Sequence, residues 1–104
     1  MIGRHINTML AAVLITTPAP AQPDFRAQAF AAKQKGQLDA AADLFHKLFK
    51  AGAADREVLT DGAWCMEKTG RYNDALNLLS RGKQKFPGDA AFRVGIARVL
   101  NLQA

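Results

Sequence analysis

The side chains that most often carry out catalysis are few in this sequence and stand far apart. Cys65 is the only cysteine of the 104 residues, and its apolar neighbours favour a small buried hydrophobe over a nucleophile. His46 and Ser80 have no visible acid–base partner, and Asp39 and Asp43 have the four-residue spacing of an ordinary solvated helix face. There is no glycine-rich phosphate loop, and histidines and cysteines are too few for a metal site. We therefore predict a protein that is not an enzyme and holds no metal ion or cofactor.

Binding chemistry finds more support, because two aromatic side chains recur among basic ones. Phe30 and Trp64 are 34 residues apart, and Lys33 and Lys68 each follow one of them by about a helical turn. Aromatic rings supply large contact areas, and ammonium and guanidinium groups pair with carboxylates. This pattern favours a peptide or protein ligand with apolar and acidic residues, or one with a free C-terminal carboxylate. The alternative for Trp64 is a place in the core with only the edge of its ring exposed.

A repeat of 34 residues must position these side chains. The segment 36–41, GQLDAA, recurs as the segment 70–75, GRYNDA, and Asp55 and Asp89 have the same separation. Self-similarity at this period is typical of stacked helical hairpins. Abundant Ala, Leu and Lys favour helix, and no segment alternates convincingly between apolar and polar residues. The sequence therefore predicts an all-α fold.

Turn and capping residues divide each repeat into two helices. Gly36 and Gly70 can take positive φ and end the first helix of each unit. Asp39 and Asn73 are expected to cap the second helix. Pro87 and the following Gly close the second hairpin, after which a last helix begins. The predicted helices span 24–35, 38–51, 56–69, 72–85 and 89–103.

This organisation resembles the tetratricopeptide repeat family in its period, its helix pairing and its small-residue positions. The second unit matches better, although Gly82 stands where the family usually has Ala, and the first lacks the closing Pro. The residues of the second unit that match the family pattern are Leu59, Gly62, Ala63, Tyr72, Ala75 and Pro87. The resemblance implies a right-handed superhelix of αα-hairpins: two hairpins, 22–55 and 56–89, and a capping helix, 90–104.

The resemblance also implies where a partner binds, since the first helix of each unit lines the concave face of such stacks. The residues expected to bind are Arg26, Phe30, Lys33, Thr60, Trp64, Glu67, Lys68 and Arg98. We expect a basic groove and a protein–protein interaction module that holds a peptide or protein segment. Some family members clamp C-terminal carboxylates with Lys, Asn and Arg, but Phe30 and Trp64 replace groups of that clamp, so it is not expected here.

The last helix suggests an alternative function. Its apolar residues form one broad arc made of Phe92, Ile96, Val99, Leu100 and Leu102. Part of this arc must cover the second hairpin, and exposed apolar remainders often mark interfaces. The alternative function is thus a self-assembling structural subunit, a homo-oligomer built through this helix. Complete burial of the arc is the competing interpretation.

The N-terminal residues have the features of a signal peptide. Arg4 precedes the apolar run 9–15, and the small residues of 19–21 fit signal-peptidase cleavage before Gln22. We therefore expect a signal peptide at 1–21 and a periplasmic or secreted protein of the cell envelope. The run is about half the ~20 residues that a membrane span needs, so none is expected. Losing Arg4 lowers the net charge of +5 by one unit, and such modest, dispersed charge makes a nucleic-acid partner unexpected.

Overall fold

The computed structural model describes residues 24–104, which form five α-helices and no strand. In chain order these helices are α1 (Phe25–Gln34), α2 (Leu38–Lys50), α3 (Arg56–Lys68), α4 (Tyr72–Lys85) and α5 (Ala90–Gln103). Helices α1 and α2 pair as one hairpin, α3 and α4 as a second, and α5 packs on α4. The predicted all-α hairpin fold is confirmed, and each predicted helix is present with its ends within one residue. The predicted signal peptide lies outside the described residues.

The first helix of each unit begins at an aspartate side chain. The carboxylates of Asp24, Asp55 and Asp89 each accept a hydrogen bond from a backbone N–H of the first helical turn, at 2.9–3.0 Å. These N–H groups have no partner inside their own helix, so each carboxylate satisfies a donor that would otherwise need water. Asp55 and Asp89, which the repeat places 34 residues apart, therefore each open a helix.

The capping prediction for Asp39 and Asn73 is wrong. Each lies at the second residue of its helix, and the N-cap positions belong to Gln37 and Arg71, whose side chains make no capping hydrogen bond. The preceding glycines have φ of 77° and 78°, as predicted. The turn that follows is tight, since the N–H of Arg71 already bonds back to the previous helix at 2.7 Å. The second helix therefore begins earlier than the capping pattern indicated.

Small residues allow the helices of each hairpin to approach closely. Ala41 and Ala75, at equivalent positions of the two units, are completely buried. Gly82 of α4 serves the contact with α5, because a Cβ at this glycine would lie 2.1 Å from two ring atoms of Phe92. The ring of Phe92 is itself completely buried and stacks on Phe86, with ring centroids 5.9 Å apart. The departure from the family pattern at residue 82 thus makes room for an aromatic ring.

The apolar arc of α5 is divided between core and solvent. Phe92 and Val99 are completely buried, and Ile96 is half-buried against the same core. Leu100 and Leu102 remain 53% and 50% exposed. Complete burial of the arc is therefore not what the structure shows. Within residues 24–104, no helix is long and apolar enough to cross a membrane.

Candidate functional site

A groove with a cavity of about 290 Å³ opens between α1, α3 and α5, with α4 beneath. Its lining residues are Lys33, Thr60, Asp61, Trp64, Leu79, Ala91 and Arg98. Four of these are among the eight residues predicted to bind a partner. The cavity is at the lower limit of volumes that hold a small molecule, and its open, mixed polar and apolar lining is compatible with one or two side chains of another protein.

Trp64 presents the largest apolar surface of this groove. Its neighbours in sequence, Ala63 and Cys65, point into the core, so α3 turns the indole outward, where the residue is 39% exposed. The ammonium groups of Lys33 and Lys68 lie 5.1 Å and 5.6 Å from its ring centroid. Cations at these distances are attracted to the electron-rich face of an indole and restrict its motion. The core-packed alternative for Trp64 is therefore not observed.

Acidic side chains neutralise most of the cations expected to make this face basic. Arg26 pairs with Asp55 at 3.0 Å, and Lys33 pairs with Asp61 at 3.4 Å. Both pairs join α1 to α3, so they hold neighbouring units together. Of the four cations predicted to bind on this face, only Lys68 has no carboxylate partner among the described residues. The groove is consequently less basic than the sequence indicated.

Arg98 and Glu67 form the most buried ion pair that the structure describes. The guanidinium of Arg98 donates from Nε to Oε1 of Glu67 at 2.8 Å and from a terminal nitrogen to Oε2 at 3.0 Å. The Glu67 side chain is only 7% exposed, whereas that of Arg98 is about half exposed. These hydrogen bonds raise the pKa of the Arg98 guanidinium. The pair fastens α5 to α3, and Arg98 forms one wall of the groove while Glu67 lies behind it.

Phe30 lies outside the groove although it is the counterpart of Trp64. Its half-buried ring meets that of Phe45 edge to face, with centroids 5.1 Å apart and planes at 87°. The guanidinium of Arg26 covers the ring at 4.9 Å. Phe30 and Arg26 therefore contribute to packing between helices, and the structure does not bring them together with the residues that line the cavity.

A family model for the tetratricopeptide repeat matches residues 32–99, well over half of the chain. This chain belongs to the tetratricopeptide repeat family. The match runs from the last turn of α1 into α5, so it includes every residue that lines the groove. No curated protein and no solved structure matches the chain.

Membership of the tetratricopeptide repeat family confirms the resemblance inferred from the 34-residue period. Such repeats generally act as protein–protein interaction modules without catalytic activity, and their partners are proteins. Burial raises the pKa of the Cys65 thiol to about 11, so the thiolate that nucleophilic chemistry requires is scarce at neutral pH. Within residues 24–104, no group of three or more His, Cys, Asp or Glu side chains is arranged to hold a metal ion.

Sequence reasoning missed three residues that line the groove of this tetratricopeptide repeat protein. Asp61 lies one turn before Trp64 on the same helix face, a spacing visible in the sequence. Leu79 is a core residue of α4 whose edge forms the floor, and Ala91 belongs to the first turn of α5. No sequence signal identifies these last two, because their place in the groove depends on how α5 lies across α4.

Proposed function

We propose that this chain is an interaction module of the cell envelope that binds a segment of a partner protein in its groove. The observation that carries the proposal is the exposed indole of Trp64, which lines the cavity and has two lysine ammonium groups 5.1 Å and 5.6 Å from its ring centroid. Tryptophan is enriched among residues that dominate protein–protein affinity, because it buries a large area and loses little conformational freedom.

The charges around the groove narrow the chemistry of the partner segment. Lys33 and Arg98 already pair with carboxylates, so their charge attracts a further acidic group less strongly than an unpaired cation would. Lys68, which has no carboxylate partner within residues 24–104, can donate to a ligand carboxylate next to the indole. We therefore favour a segment in which an apolar side chain packs on Trp64 and a nearby acidic group pairs with Lys68. Thr60 has no free hydroxyl proton to donate to a ligand, since its hydroxyl donates to backbone carbonyls of its own helix at 3.1 Å.

The envelope assignment is supported by the sequence of residues 1–21. A short basic start, an apolar run and small residues at 19–21 are the features of a secretory signal peptide. Periplasmic or secreted localisation is therefore part of the proposal. It is tested by N-terminal sequencing of the protein recovered from the envelope or the medium, where Gln22 is the expected first residue and an uncleaved Met1 contradicts it.

Site-specific photocrosslinking tests the groove. A photoreactive amino acid replaces Thr60 in the groove wall of the full-length chain, and in a second protein it replaces Ser80, an exposed residue of α4 outside the groove. Crosslinking in envelope extract is expected to give a defined protein adduct from position 60 only. Adding Trp64→Ala should reduce that adduct about 10-fold or more, as for an aromatic anchor.

Leu102→Ala is the matched control, because it removes a comparably exposed apolar side chain outside the groove. This variant should leave the adduct unchanged. Equal adduct from positions 60 and 80, or full adduct with Trp64→Ala, would rule out the groove as the binding site. Circular dichroism of each variant shows whether the helices remain intact.

The exposed leucines of α5 favour a second candidate, a homo-oligomer formed through this helix. Leu100 is the better probe than Ile96, since Ile96 packs partly against the core and its substitution would also affect folding. Under this candidate the chain is oligomeric by light scattering, and Leu100→Glu converts it to a monomer. A wild-type chain that stays monomeric at high concentration excludes it.

A further inference from the structure

The C-terminal halves of α2 and α4 carry five basic residues and no acidic residue. We call this group the basic edge; its members are Lys47, Lys50, Arg81, Lys83 and Lys85. All five are exposed. The N-terminal halves of the same two helices differ, since they contain Asp39, Asp43 and Asp74. Charge is thus segregated along both helices.

The cations of the basic edge have no carboxylate partners within residues 24–104, a property they share with Lys35, Lys68 and Arg93. Within residues 24–104, the cations that pair with carboxylates are Arg26, Lys33, Arg56, Arg71 and Arg98. No member of the basic edge forms such a pair. Lys47, Lys50, Lys83 and Lys85 lie in the last turns of their helices, where positive charge favours the helix dipole, and they remain exposed to solvent.

Contacts between α2 and α4 show how the two helices lie relative to each other. Near the start of both helices, Arg71 pairs with Asp43 at 2.7 Å. Near their ends, the guanidinium of Arg81 lies 5.3 Å from the ring centroid of Phe49, and Lys85 donates to a backbone carbonyl of the loop after α2 at 3.2 Å. The two helices therefore run in the same direction, and their basic C-terminal halves lie at the same end of the molecule.

Half-buried aromatic rings underlie this cluster. Phe25, Phe49 and Phe86 each have a cation of the basic edge above the ring, at centroid distances of 5.1 Å, 5.3 Å and 5.9 Å. The rings restrain these cations at the surface, and clusters of basic residues bind anionic lipid headgroups. The composition of the basic edge therefore fits a membrane–water interface.

We propose that the basic edge docks on a membrane surface rich in anionic lipid. Four of its five cations are lysines, compact point charges that suit a diffuse charged surface better than the bidentate geometry of defined carboxylates. The half-buried rings are covered by cations, so they do not offer open faces on which nucleic-acid bases stack. The basic edge shares no residue with the groove, and docking leaves the groove free for its partner.

Vesicle binding of the full-length chain tests this proposal. Partition is measured by co-sedimentation with vesicles of pure phosphatidylcholine and with vesicles that contain roughly 30% phosphatidylglycerol, an anionic lipid. The variant Lys50→Gln, Lys83→Gln removes two cations that make no hydrogen bond and no ring contact in the described structure. Lys35→Glu is the control, because it changes the net charge equally at an exposed site outside the basic edge.

The wild type should bind anionic vesicles far better than neutral ones, and added salt should weaken that binding. The double variant should lower the partition coefficient by roughly 25-fold, whereas Lys35→Glu should change it less than about threefold. Equal losses in both variants, unchanged binding of the double variant, or equal partition into neutral vesicles would each overturn the proposal. Tighter binding to soluble polyglutamate than to anionic vesicles, at equal concentration of negative charge, would overturn it too, in favour of an acidic protein partner.

Discussion

Replacing Gly82 by Ala tests whether the ring of Phe92 is the reason that α4 needs a residue without a side chain where it contacts α5. Alanine is the better helix former, and the family usually places it at this position. A Cβ at residue 82 would nevertheless lie 2.1 Å from Cδ1 and Cε1 of Phe92 and 2.6 Å from Cζ. The ring cannot move outward easily, because it is completely buried and stacked on Phe86.

Two opposing effects set the size of the change. Alanine in a helix interior stabilises by about 1 kcal/mol relative to glycine. Overpacking a filled core costs about 1–3 kcal/mol, and a contact this short belongs near the upper limit. The expected net result is a loss of about 2 kcal/mol in the free energy of unfolding. For a domain of this size, that loss lowers the melting temperature by roughly 8–16 °C.

Thermal unfolding followed by far-ultraviolet circular dichroism measures this difference. Gly88→Ala is the control, since a Cβ there meets no atom within 4 Å and φ is not positive. Phe92→Leu supplies the second test: without the ring, Gly82→Ala should become neutral or stabilising, because only the helix propensity remains. The reasoning fails if Gly82→Ala is as stable as the wild type, or if it destabilises the Phe92→Leu protein equally.

Three further predictions concern charge and burial. Arg98→Ala leaves the carboxylate of Glu67 buried without its partner, so urea unfolding should show that the free energy of unfolding falls by about 2 kcal/mol. Adding Glu67→Gln should restore part of this loss. An unchanged free energy of unfolding would mean that the ion pair contributes nothing to stability. Asp55→Ala should cost about 1 kcal/mol at neutral pH, because the carboxylate caps α3. The hydrogen bond from the Val58 N–H lowers the folded-state pKa of Asp55, so its contribution is present above the ordinary carboxyl pKa and disappears as pH falls through the folded value. The difference between Asp55→Ala and wild type should therefore shrink in acid, and a constant difference contradicts this account. Burial raises the pKa of Cys65 to about 11, so iodoacetamide should alkylate the native thiol about 100-fold more slowly than the thiol of the unfolded chain. Mass spectrometry measures both rates. Equal rates would show that the protein opens readily around Cys65.

Local signals in the sequence were sufficient to predict the helices. The glycines with positive φ, the aspartate caps and the small residues at helix crossings each act within a few residues of their own position. Asp39 and Asn73 misled for the same reason: their residue type suits a cap, but the tight turn after each glycine starts the helix before them. The hydrogen bond that closes this turn belongs to the helix-terminating turn that the glycine itself signals, so the glycine is the better guide to where the next helix begins.

The groove was harder to predict, because its chemistry depends on register between helices. The 34-residue offset pairs Phe30 with Trp64, yet their surroundings differ. Phe30 meets the ring of Phe45, whereas the equivalent position in the second unit is Leu79, which packs against Gly95 of α5. Trp64 thus stays exposed. The pairing of Lys33 and Arg98 with acids on α3 likewise follows from the lateral placement of helices, which a linear pattern does not contain.

The aspartates that cap α3 and α5 also link successive units. Asp55 receives Arg26 from α1, and Asp89 receives Arg56 from α3, in each case while its other oxygen caps a helix. The same carboxylate therefore caps its own helix and binds the preceding unit. In a linear chain of interacting units, such shared groups increase the nearest-neighbour coupling relative to the intrinsic stability of each unit. The consequence is cooperativity: loss of one unit removes the arginine that holds the capping aspartate of the next, and this coupling favours melting of the stack in a single transition.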